Sequence, residues 1–170
     1  MALATAIRYA CRLPRRPHFG VAVLARPWLR VLEINRAANL NGWLRRLPRH
    51  SLVEYPAVDM MAMPFDDASF DLVVHSDTLE HVADPLLALR ECRRVLRRRG
   101  ALCYTVPIVV GRGSRSRQEL PASHHGGGGD DLIVHTEFGA DAWTWPLRAG
   151  FDRCEIVSVE YPAGLALVAR

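Results

Sequence analysis

Short apolar runs, separated by polar and turn-rich stretches, organise this chain. Residues 28–34 (WLRVLEI) read as a strand with an acid, Glu33, near its end. Residues 35–41 read as a loop, and Trp43, Leu44 and Leu47 then follow at helical spacing until Pro48. Residues 51–55 predict a second strand with Glu54 near its end. Residues 57–60 predict a third, very short strand, and residues 70–74 (FDLVV) a fourth. Asp84-Pro85 opens a helix, because Asp is a good N-cap and Pro suits the first helical position. Leu86, Leu89 and Leu96 continue it at helical spacing, and Gly100 is placed to end it. Residues 101–106 read as a fifth strand stopped by Pro107. Residues 135–150 read as a turn and a helix. Residues 153–160 and 164–168 read as closing strands joined by a hairpin turn. Strands alternating with helices, then a hairpin, predict an α/β fold with a mostly parallel sheet and an antiparallel strand at its end.

At 170 residues the chain has the length of one domain. The prolines Pro14, Pro17 and Pro27 set off residues 1–27 as an N-terminal extension, a short helix or a frayed terminus, ahead of a domain spanning 28–170. Residues 111–131 have loop composition and read as a flexible insert. Every one of the 22 basic residues is arginine, for a net charge of +4. Arginine clusters at 12–16, 45–49, 90–99 and 112–117 suit phosphate or nucleic acid, or else solvated faces and helix ends. No aromatic residues interleave them, so nucleic acid is not the expected partner. The four cysteines have no C-x₂-C spacing, and Cys92 and Cys103 fall in apolar patterns as buried thiols, which suits a reduced, cytoplasmic setting. No apolar run approaches the ~18–20 residues that span a bilayer. His124 and His125 read as solvated loop residues, and no metal is expected.

Ligands in an open parallel sheet sit outside the carboxyl ends of the strands. Polar residues that directly follow apolar runs therefore mark the candidate site: Glu33, Glu54, Asp59, and the His75-Ser76-Asp77 group. Their order carries a resemblance. Leu32-Glu33 is followed by Asp59-x-x-x-Met63-Pro64-Phe65, then Ser69-Phe70-Asp71-Leu72-Val73-Val74, Leu79-Glu80-His81 and Arg94-Val95-Leu96. Over roughly residues 28–110 this series resembles the class I S-adenosylmethionine-dependent methyltransferases, in particular the group called methyltransferase type 11.

The resemblance implies a Rossmann-like sheet and S-adenosylmethionine as cofactor. It places Glu54 at the ribose hydroxyls, Asp59 at the adenine amino group with Met60 beside the ring, and Glu33 under the methionine end. His75 and Ser76 would face the sulfonium and a small-molecule acceptor, with His75 the candidate base and His135 the second choice. For Asp71, inside its strand, a structural hydrogen bond is the expected role. The chain departs from the family's pattern in its first loop, where no glycine occurs until Gly42. Asn35 and Asn39 tolerate the left-handed backbone best and stand in for glycine there, while Arg36 either obstructs the pocket or turns outward. No helix fits between Glu54 and Asp59, and Arg98-Arg99-Gly100 replaces Pro-Gly-Gly. A nicotinamide enzyme would need G-x-G-x-x-G after the first strand, and that is absent. Two readings remain: methyl transfer, or a methyltransferase-like protein that binds without turnover.

Overall fold

The computed structural model describes residues 1–123, 133–160 and 164–170. In chain order the strands are β1 (Val31–Ile34), β2 (His50–Val53), β3 (Phe70–Ser76), β4 (Leu96–Thr105), β5 (Ile108–Val109), β6 (Arg115–Ser116), β7 (Thr136–Gly139), β8 (Cys154–Val159) and β9 (Gly164–Ala169). The helices are α1 (Ala2–Ala10), α2 (Phe19–Leu24), α3 (Asn41–Leu44), α4 (Pro85–Val95) and α5 (Thr144–Arg148). Six strands form one sheet in the order β2-β1-β3-β4-β9-β8. The first four are parallel, and the closing hairpin β8-β9 joins β4 antiparallel. This is the mostly parallel α/β sheet expected from the hydrophobic pattern, in the Rossmann-like arrangement that the resemblance implies.

β1 is buried along its whole length, as a central parallel strand must be. Leu32 and Ile34 face one core, with Leu89, Cys92 and Val95 of α4. Val31 faces the other, with Ala6 and Ile7 of α1 and Ala22 and Val23 of α2. The expected extension at 1–27 thus shares a core with the strands that follow it, and Tyr9 donates a 2.6 Å hydrogen bond to Glu155 of β8. A β-carbon at Gly20 would lie 2.2 Å from the Trp43 ring, so glycine is what lets α2 approach α3. Among the described residues no helix is long and apolar enough to cross a membrane.

The start of α4 follows the sequence reading, with Asp84 Oδ1 accepting from the Leu86 and Leu87 amides, each at 3.0 Å. Its end does not. β4 begins at Leu96, directly after the helix, because Leu96 pairs with Phe70. Gly100 lies inside β4, and a β-carbon there would lie 2.9 Å from Leu96 Cδ2 and 3.0 Å from the Arg97 carbonyl oxygen. The expected strand at 57–60 is a turn instead. Asp59 Oδ1 accepts from the Met61 amide at 2.8 Å, and the Glu54 carbonyl accepts from Val58 at 3.0 Å. Local bonds therefore satisfy groups a ladder would have used, and β2 is the sheet edge. Residues 135–150 form β7 and the short α5. Within the expected insert at 111–131, β6 joins β5 and β7, which flank the insert, in a small sheet, and Glu137 of β7 pairs with Arg112, Arg115 and Arg117. Residues 124–132, with His124 and His125, and residues 161–163 at the tip of the closing hairpin lie outside the described residues.

Candidate functional site

β1, β2 and β3 all end at one cleft of about 430 Å³. Its position follows from topology: the chain leaves each parallel strand at the same edge of the sheet. Asn35, Glu54, Asp59, Met60 and Ser76, five of the seven expected site residues, line it. They come from four separate segments. Val58, Met61 and Val82 add apolar wall, and Asp77, Thr78, His81 and His135 complete the side nearest β3. The volume is within the range of small-molecule sites.

Glu33 is not on this wall. It is fully buried on the other face of β1, where its carboxylate accepts from the Ala37 amide (2.7 Å) and Asn41 Nδ2 (3.0 Å) and meets His50 Nε2 at 2.7 Å. Burial by itself would raise this carboxyl; the bonds from His50, Ala37 and Asn41 outweigh it and hold the group below the ordinary carboxylate range. Glu33 thereby anchors the loop that follows β1. That loop holds Asn35, Arg36 and Ala38 at φ of +52°, +38° and +48°. Side chains usually cost roughly 1–2 kcal/mol each in this region. Asn35, as expected, is one of the residues that takes the glycine-like backbone; Asn39 is not, and Arg36 and Ala38 do so instead. Asn35 Oδ1 also accepts from the Tyr55 amide at 2.9 Å, tying the loop to the end of β2. The Arg36 side chain turns outward and pairs with Glu54.

His75 is the clearest correction. The ring is fully buried behind the cleft, stacked on Tyr104 with centroids 4.8 Å apart. Neither nitrogen has a hydrogen-bond partner among the described residues. Burial pushes its pKa down to about 3, so at neutral pH it is a neutral core side chain, out of reach of an acceptor. The place of β3 decided this: it lies between β1 and β4 with a packed core on each face, and His75 pairs with Tyr104 in the unbroken register that runs from Leu72 to Ser76. Ser76, the next residue, does reach the cleft, and its hydroxyl donates to Asp77 (3.0 Å) and meets Thr105 Oγ1 at 2.9 Å. Asp71 has the expected structural role, accepting from the Arg30 amide at 3.0 Å and pairing with Arg97 at 3.2 Å.

Two histidines stand on the cleft wall. His81 Nδ1 is 3.0 Å from the Ile133 carbonyl oxygen, and its Nε2 is 3.7 Å from Glu80 Oε1. A carbonyl only accepts, so the neutral ring carries its proton on Nδ1 and keeps a lone pair on Nε2. The Glu80 carboxyl is buried, which pushes it up to about 7. The Glu80 carbonyl accepts from the His135 amide at 2.7 Å, which draws the start of β7 and its histidine to the same corner. The Leu-Glu-His motif of the resemblance falls at this corner, and Asp77, one of the polar residues that follow the apolar run of β3, accepts there from Ser76 and Thr105.

The methyltransferase domain family matches residues 19–104, about half of the chain. A Mycobacterium tuberculosis protein named as a probable S-adenosylmethionine-dependent methyltransferase is 40% identical over 63 residues, 34% of this chain and 23% of that protein. A Methanocaldococcus jannaschii protein is 37% identical over 78 residues, covering 45% of this chain and 33% of the other. The matches thus span a third or less of these relatives' lengths. Among solved structures, an S-adenosylmethionine-dependent methyltransferase from Thermotoga maritima superposes with a TM-score of 0.50 at 14% identity, over 99% of this chain and 87% of that one. The [4+2]-cyclase SpnF does so at 0.50 and 18%, over 92% and 73%. Strand order, cleft position and the match over residues 19–104 agree: the chain belongs to the class I S-adenosylmethionine-dependent methyltransferase family.

Proposed function

We propose that the chain binds S-adenosylmethionine in this cleft and transfers its methyl group to a small-molecule acceptor. The convergence of Asn35, Glu54, Asp59, Met60 and Ser76 on one cleft carries this reading. The donor set suits the cofactor. A carboxylate, Glu54, can accept from two ribose hydroxyls. Asp59, with Oδ1 committed to its own turn, offers its remaining oxygen to an adenine amino group, and Met60 and Val58 give that ring an apolar bed. Asn35 and Ser76 are left for the amino-acid end.

The cofactor supplies an activated methyl on a charged sulfonium. The protein's task is to orient an acceptor in line with that methyl and exclude water. The acceptor would enter on the side of Asp77, His81 and His135. With His75 withdrawn into the core, His135 or His81 takes its place wherever the acceptor must lose a proton. His81 lines that side, with its Nε2 3.7 Å from Glu80 Oε1.

Titration calorimetry with S-adenosylmethionine tests the reading. Saturable one-to-one binding in the micromolar range common for working sites, weakened by Asp59→Ala, is the expected result. No heat and no thermal stabilisation of the folded protein at millimolar cofactor would remove the enzyme reading. It would leave the second one, a methyltransferase-like protein without turnover, which the Arg36–Glu54 pair at the cleft favours.

A further inference from the structure

A second cleft, of about 480 Å³, opens at the opposite end of the sheet, where α4 runs into β4. Gly100 on its wall lies five residues before Thr105, the partner of Ser76, so about 16 Å of strand separates it from the level of the first cleft. Six arginines line it. Three are committed: Arg94 to Glu91 and Asp67, Arg97 to Asp71, and Arg170 to Glu155. The other three, Arg90, Arg93 and Arg98, have no ion-pair partner among the described residues, and one further carboxylate, Asp152, faces the same space.

Arginines in the last turn of a helix complement its macrodipole, and that accounts for Arg93 and Arg94. It does not account for Arg98, which is on a strand, or for the concavity they share. That concavity is built. Gly150, at φ +97°, turns the chain between Ala149 and Phe151 to make one wall, and the Arg93 stem lies against it, with Cδ 3.6 Å from where a β-carbon would sit. Three arginines without ion-pair partners among the described residues, lining one small cleft, suit a compact, multiply charged anion with several acceptor oxygens, because each guanidinium offers a planar fork of donors. A long polyanion would need a groove, and this cleft is short.

We propose that this second cleft is a binding site for a diphosphate group, free or carried by a nucleotide, held by Arg90, Arg93 and Arg98. It is separate from the cofactor cleft and does not depend on the methyl-transfer reading. The test is calorimetric titration of the full chain with inorganic pyrophosphate and with uridine 5′-diphosphate, which lacks adenine, at fixed ionic strength. Two triple variants are compared: Arg90→Gln/Arg93→Gln/Arg98→Gln, and Arg45→Gln/Arg46→Gln/Arg49→Gln as an equal loss of charge elsewhere. Thermal melts verify that both are folded. The expected result is saturable one-to-one binding, weakened about tenfold or more by the first triple, as loss of even one charge-assisted bond predicts, and unchanged in the second. Equal affinity for the two ligands would make the diphosphate itself the ligand, and tighter uridine diphosphate binding would add a nucleoside to it. Binding weakened equally by both triples, or no saturable binding of either ligand, overturns the proposal.

Discussion

The Arg36 guanidinium lies 3.0 Å, Nε to Oε1, from the Glu54 carboxylate on the cleft wall. Both side chains are well exposed, at 65% and 47%, so the pair contributes at most about 1 kcal/mol to stability. Its consequence is local: the acid proposed for the ribose hydroxyls already has a partner, and that partner sits on a left-handed backbone. Arg36→Gly should relieve strain of about 1 kcal/mol, which matches or exceeds the lost pair, and leave the melting temperature unchanged or raised by up to about 4 °C. It should also tighten S-adenosylmethionine binding severalfold in calorimetry. Weaker binding would make Arg36 a ligand-holding group rather than a competitor.

Glu33 should behave as the keystone of the first loop. Glu33→Ala leaves His50, Asn41 and the Ala37 amide without their acceptor, and the expected loss is about 3 kcal/mol. Because the folded carboxyl is held below its ordinary value of 4.5, its contribution is complete above that pH and disappears as pH falls through the folded value. Urea unfolding of the wild type and the variant at a series of pH values would reveal this. A difference between them that does not shrink on acidification would contradict it.

His75→Phe should be tolerated. The ring stacks on Tyr104 and its nitrogens make no hydrogen bond among the described residues. A phenyl ring removes buried polar atoms, so stability at neutral pH should be equal or greater. The folded histidine titrates at about 3 against an ordinary 6.5. Wild-type stability should thus fall by about 1.4 kcal/mol per pH unit from 6.5 down to about 3 beyond any fall seen in the variant. Abolished cofactor binding or turnover in a folded Phe variant would restore His75 to the site.

Glu80 gives the opposite sign. Its carboxyl is raised to about 7 by burial, so the folded state prefers it protonated. The wild type should lose about 1.4 kcal/mol per pH unit relative to Glu80→Gln as pH rises from 4.5 to about 7, and then no more. Thermal melts across this range measure the gap directly. A gap independent of pH would show that the carboxyl stays ionised.

Much of the fold was legible in the sequence because its signals are local. The apolar run of β3, the Asp84-Pro85 cap and the alternation in the closing hairpin each act within a few residues. Glu54 and Ser76 were legible for a related reason: in a parallel sheet, whatever ends or follows a strand is delivered to one edge. Asn35, Asp59 and Met60 were named through the resemblance, and Asp59 and Met60 reach the cleft from a turn rather than from the strand expected there.

What required the tertiary structure was sidedness and partnership. β3 has a packed core on both faces, so His75 is buried behind the cleft while Ser76, at the strand's end, reaches it, and the apolar run before them does not show which polar residue is the first to emerge. Glu33 reads as one more strand-end acid until His50, seventeen positions away in the chain, is found against it. The segment at 57–60 has strand-like residues, yet Asp59 closes a turn on Met61 and no ladder forms. The missing glycines proved a matter of backbone angles, adopted by Asn35, Arg36 and Ala38 because Glu33 and Asn35 hold the loop in place. Sequence determines which residues can form strands and where their ends fall. The face each side chain takes, and the partner it meets there, depend on contacts between distant segments, and those exist only once the chain has packed.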